Sequence, residues 1–116
     1  MLKGIKGVSL MRFSYSELKE YIREDYEMFI RMGFDSDEHI MNAILNEYQY
    51  GEGFCEVEKL CIYISLAFIF KENKRDYSKI VEVIQQEMLS ISGIEIQQAL
   101  KTEYRLYEKD MNDLCI

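Results

Sequence analysis

The side chains able to do chemistry are few and scattered. One histidine, His39, and three cysteines, Cys55, Cys61 and Cys115, are the only imidazole and thiol groups in 116 residues. A Cys/His nucleophilic pair would have to use His39, which sits among acids at the start of a helical segment. An exposed residue of a capping turn is the simpler reading of that position. Zinc needs clustered Cys and His ligands, and there is no C-x-x-C and no second His. A carboxylate-bridged di-metal centre in a helical bundle needs two Glu-x-x-His units, which one His cannot supply. "GEG" at 51–53 lacks the Lys and Ser or Thr that follow in a phosphate loop and reads as a turn. The expectation is a chain that is not an enzyme and holds no metal or cofactor. Paired carboxylates for acid–base work stay open as an alternative, a helical ligand-binding domain or enzyme, because acids are abundant.

The formal net charge is −7, which disfavours phosphate binding and so a nucleic-acid partner. The excess is uneven. Residues 11–58 carry twelve acidic and four basic side chains, a segment charge of −8, against +2 for residues 1–10 and −1 for residues 59–116. A one-signed field of this kind speeds encounter with a basic partner, although a solvated acidic face looks the same in a count. Tyr48 and Tyr50 flank the turn "YQYGEGF", beside Glu47, Glu52 and Phe54. An aromatic ring with a polar tip among carboxylates is the composition of an interface centre. Tyr48 fits the helical period and can equally be core; Tyr50 does not fit it.

Helices must position these residues. Apolar residues make up 48% and charged residues 30%, there is no Pro, and there are six Gly, a composition that favours helices with short turns in one domain. "SYSELKEYIREDYEMFIRMGF" has Ser14 and Glu17 at capping-box spacing, then Leu18, Tyr21, Ile22, Phe29 and Ile30 at helical intervals, and stops at Gly33. "DSDEHIMNAILNEY" offers Asp35 or Ser36 as cap, with acids in the first turn. "LCIYISLAFIF", residues 60–70, is apolar on every side, and a run of 11 falls short of the roughly 20 residues a membrane span requires. With its polar lead-in it reads as a central helix over residues 55–71. A fourth helix follows Asp76 or Ser78 and stops at Ser92-Gly93, and a fifth runs through "IEIQQALKTEYRLYEKDMNDL". The expected fold is all-α, a single-domain compact bundle of about five helices around that apolar helix. Residues 1–12 read as a flexible N-terminal arm or an upstream start, with Met11 a natural beginning, and residues 13–116 as the helical domain. An odd, unpaired set of cysteines points to a reducing compartment, and with no signal-peptide pattern the expected location is cytoplasmic.

The order "YSELKEYI", a "GF" stop, "AILNEYQYGEGF" and "EKLCIYISLAFI", over roughly residues 13–70 and including the Glu47-Tyr48 pair, resembles small all-helical immunity proteins encoded beside bacterial polymorphic and contact-dependent toxins. The resemblance implies a protein that binds one cognate toxin domain, in many such systems a nuclease, and blocks it by covering its active site or holding it inactive. It implies no catalytic residue. On that basis Asp35, Asp37, Glu38, Glu47, Tyr50, Glu52 and Glu56 are the expected partner-facing residues, placing carboxylates where a nuclease would bind phosphates. The alternative is a helical regulatory or assembly subunit that meets a basic protein surface with the same acids.

Overall fold

The computed structural model describes residues 11–49 and 53–116. Its first helix, α1 (Tyr15–Arg31), starts where the capping box places it. Glu17 N–H donates to Ser14 Oγ (3.1 Å) and Ser14 N–H to Glu17 Oε1 (2.9 Å), so two of the helix's orphan donors are satisfied reciprocally. Tyr15, Leu18, Ile22 and Tyr26 form its buried face. The helix ends in a Schellman turn at Gly33 (φ +99°): Phe34 N–H reaches Phe29 O and Gly33 N–H reaches Ile30 O, while the Phe29 and Phe34 rings pack 5.0 Å apart.

Helix α2 (Asp37–Gln49) follows, with Ser36 Oγ accepting from His39 N–H (3.3 Å). Helix α3 (Glu56–Glu72) is the centre of the molecule. From Leu60 to Phe70 every residue but the half-buried Phe68 is buried, because α1, α2, α4 and α6 cover it from different sides. An apolar helix with no polar face is stable in water only under such cover. The expectation of an all-helical compact bundle built round this segment is met.

Helix α4 (Ser78–Met88) packs on α3 through Ile80 and Ile84. Its lead-in is an Asx turn in which Asp76 Oδ1 accepts from Ser78 N–H (3.0 Å) and Oγ (2.8 Å). Two details differ from the sequence expectation. Ser92 and Gly93 do not stop α4; they open α5 (Gly93–Leu100), where Ser92 is the N-cap and its Oγ accepts from Glu95 N–H. The segment expected as one fifth helix is divided: Lys101 adopts φ +25°, a 3-10 turn spans Lys101–Glu103, and α6 (Tyr104–Asp113) follows. The break carries Glu103 to the start of α1, where Ser16 N–H and Oγ donate to its carboxylate (3.2 and 2.6 Å). A carboxylate there complements the positive end of the helix dipole.

Helix α6 is pinned to α1 by a buried polar group. Asp110, 1% exposed, accepts from Tyr15 Oη (2.6 Å) and Lys19 Nζ (2.7 Å). The ammonium also lies 4.0 Å above the Phe68 ring. No described helix is long and apolar enough to cross a membrane.

Candidate partner-binding surface

The partner-facing residues expected from sequence fall into two groups. Asp35, Asp37 and Glu38 lie at the start of α2; Glu47 and Glu56 lie at its end and at the start of α3. Ten residues of helix separate Asp37 from Glu47, about 15 Å at 1.5 Å per residue. Tyr50 and Glu52 lie outside the described residues.

The first group is engaged within the chain. Asp37 accepts from Arg75 Nη1 (2.7 Å) through one oxygen and from Asp76 N–H (3.2 Å) through the other. Arg75 also donates to Asp35 O (3.1 Å) and to Tyr26 Oη (2.8 Å), and its guanidinium lies over the Tyr26 ring. These partners hold the Arg75 guanidinium even more firmly protonated than usual. Glu38 pairs with Lys79 (3.1 Å), both side chains exposed, an arrangement of little net worth in water. These contacts tie the α3–α4 turn to the start of α2.

The second group is different in kind. Tyr48 donates its hydroxyl to Asp25 Oδ2 on α1 (2.5 Å). Glu47 is the neighbour of Tyr48 in sequence, and partial shielding from water, with Asp25 as a second cause, pushes its carboxyl up to about 7. Burial and the same Asp25 raise the Tyr48 phenol beyond any physiological titration. Ion pairs among the described residues include Lys19–Asp110, Arg23–Glu72, Arg75–Asp37, Lys79–Glu38 and Lys109–Asp113. None of them neutralises Asp25, Glu47 or Glu56. A carboxyl held beside another carboxylate ionises less readily, which is the second cause of the Glu47 shift.

Beside this acidic cluster runs a row of rings. Tyr48 packs on Phe54 (5.6 Å), Phe54 on Phe13 (6.0 Å) and Phe13 on Tyr21 of α1 (5.6 Å, edge to face). The Arg12 guanidinium lies over both Phe13 (5.4 Å) and Phe54 (5.8 Å). It also sits against the backbone of Gly53 (φ +85°), where a Cβ would meet Arg12 Nη2 at 2.7 Å. Only glycine fits a turn with that φ and that close a neighbour. Sequence reasoning left out Asp25, Arg12 and Phe13. Asp25 carried a usable signal: it lies three residues after Ile22 and four before Phe29, on the flank of the inward stripe of α1, where an acid faces the neighbouring helix.

The groups singled out for chemistry lie apart. His39 is exposed, its ring 6.2 Å from that of Phe34. Cys61 is buried, Cys55 is half-buried and Cys115 is exposed, and all three are free thiols. Burial pushes the Cys61 and Cys55 thiols up, away from the reactive thiolate. Among the described residues no group of three His, Cys, Asp or Glu could hold a metal ion.

Against known proteins, a family model described as "Immunity protein Imm3" matches residues 11–115. The chain belongs to this family of immunity proteins, whose members are generally non-enzymatic and whose function implies binding a cognate toxin protein. The match takes in Met11 and Arg12 and extends through α4, α5 and α6, well past residues 13–70 on which the sequence resemblance rests. No curated protein and no solved structure matches the chain.

Proposed function

We propose that this protein neutralises one cognate toxin domain of a polymorphic or contact-dependent system by docking it at the end of α2 and the start of α3, acting in the cytoplasm by binding and not by catalysis. The observation that carries this reading is the carboxylate cluster of Asp25 and Glu47 around Tyr48, which none of the ion pairs named above neutralises, beside a row of aromatic rings that runs to Phe54, two residues before exposed Glu56. A surface that holds like charges together gains most from a partner that brings Lys or Arg, and the rings supply the apolar area that charge alone lacks. A nuclease fits, because its substrate cleft is positive and carboxylates can stand where phosphates would go.

Within the expected patch, Glu47, Tyr50, Glu52 and Glu56 then make the central contacts. Asp35, Asp37 and Glu38 add to the long-range field, with Asp37 and Glu38 already answered by Arg75 and Lys79.

The test is co-expression with the toxin encoded beside it. The pair should co-purify and growth arrest should be relieved. Reversing Glu47, Glu52 and Glu56 together to Lys should slow association about tenfold or more at low salt, with the difference shrinking as salt is raised. An unchanged association rate at low salt would reduce the patch to solvation.

A further inference from the structure

Among the described residues, Glu58 is a buried carboxylate at the edge of the aromatic row. It is 0% exposed, at the third position of α3, and is one of the twelve acids of residues 11–58. Its Oε2 accepts from Arg12 N–H (2.7 Å) and Phe13 N–H (2.9 Å), and its Oε1 accepts from Cys55 N–H (2.9 Å). One carboxylate therefore joins the segment entering α1 to the turn entering α3, with Phe13 lying 45 residues before Glu58. The last residue of the segment read from sequence as a flexible arm, Arg12, is thus fastened to the bundle, and Met11 beside it packs on the core.

The consequence lies one layer further out. The residues Glu58 fastens by their backbone, Arg12 and Phe13, are those whose side chains sit on Phe54, and Phe54 sits on Tyr48. Without the clasp, Phe13 has no backbone anchor, and the Gly53–Phe54 turn loses the groups that press on it.

We infer that Glu58 is a positioning residue for toxin binding: from a site the partner cannot reach, it fixes the Arg12–Phe13 strap between α1 and the Phe54 turn and so sets the shape of the docking face. This rests on the reading above that the end of α2 and the start of α3 form that face. Charge and geometry both single out a carboxylate for the task. Three N–H donors converge on two oxygens, and an amide would aim an N–H at one of the donor groups.

The experiment compares the parent with Glu58→Gln and Phe13→Ala, using the toxin domain encoded beside it as the binding probe. Ile84→Ala serves as a control that costs stability in the core without touching the strap. Hydrogen exchange at the Arg12, Phe13 and Cys55 amides is followed in parallel. Glu58→Gln should weaken binding about tenfold or more and release all three amides, while Ile84→Ala, once folded, binds like the parent. If Glu58→Gln does not fold, Phe13→Ala decides, since it keeps the clasp and removes the ring; it too should weaken binding.

Parent-like affinity in Glu58→Gln with the amides released would overturn the proposal, as would parent-like affinity in Phe13→Ala. If these variants are inert and the charge reversal of Glu47, Glu52 and Glu56 is inert too, the docking face itself is misplaced. If the reversal weakens binding and they do not, only the clasp fails.

Discussion

A carboxyl that titrates near neutrality on a docking face makes binding depend on pH, and Glu47 is such a group. Shielding and the proximity of Asp25 push it up to about 7 in the free protein. Docking a Lys or Arg against the cluster would return it to the ordinary carboxylate range near 4.3. Complex formation must then expel the proton. At pH 7 half of the free molecules carry it, so about half a proton is released per complex, and affinity falls about tenfold between pH 8 and pH 6. The sign is fixed by the direction of the shift: lower pH stabilises the free, protonated form. Titration calorimetry with the toxin domain, in buffers of different ionisation enthalpy, reads both quantities. The decisive number is the difference between the parent and Glu47→Gln, because subtraction cancels the contributions of the toxin and of the rest of the chain. The variant should show a flatter profile and release correspondingly fewer protons. Equal slopes for the two proteins would mean that no cation meets this cluster. Folding carries the same signature without a partner. A carboxyl raised on folding contributes stability that is present below its unfolded value and lost as pH rises through about 7, and Glu47→Gln should remove that loss.

Two further outcomes concern the frame that holds the surface. Asp110→Ala leaves the Tyr15 hydroxyl and the Lys19 ammonium without their carboxylate in a buried site, and should cost about 3–5 kcal/mol in urea unfolding; a loss under about 1 kcal/mol would mean that water replaces the partner. Lys74 holds φ +58° at the end of α3, where Arg75 N–H closes a Schellman turn on Phe70 O (2.8 Å). Lys74→Gly should therefore raise stability by about 0.5–1 kcal/mol, read as a higher melting temperature with no change in toxin binding.

What could be read from sequence follows from how local each signal is. Ser14 and Glu17 lie three apart and cap each other, Gly33 is the residue an αL turn prefers, and an apolar run covering every helical face has nowhere to go but the centre. The Schellman turns at Lys74 and Cys115 carry no glycine, so nothing local marks them. The division at Lys101 is silent for another reason. Ile96, Leu100, Tyr107 and Leu114 are all buried, and their spacings of four and seven suit an unbroken helix as well as a divided one. The reason for the break, the docking of Glu103 on Ser16, spans 87 residues. Asp25 with Tyr48 and Glu58 with Arg12 are likewise pairs across the chain. Composition placed the acids in one half of the sequence but could not say which of them is answered and which is buried.

That distinction separates two uses of the same side chain. Asp37, Glu58 and Asp110 are carboxylates that accept from N–H, O–H, ammonium or guanidinium donors, and each ties one element to another. Removing one leaves donors unpaired, so its loss is felt as stability. Asp25 and Glu47 are held close on adjacent helices with only a phenol between them and the rings of the docking row. Asp110, by contrast, is answered by Lys19. Two like charges held together raise the free energy of the unbound protein, and a partner that brings a cation to them recovers that energy on binding. The same cluster makes affinity sensitive to one proton. Acid at this site and acid elsewhere on the surface therefore predict opposite outcomes for a neutral substitution: Glu47→Gln weakens binding at pH 8 while steadying the free fold, whereas Asp37→Asn loosens the fold and leaves the proton count of binding unchanged.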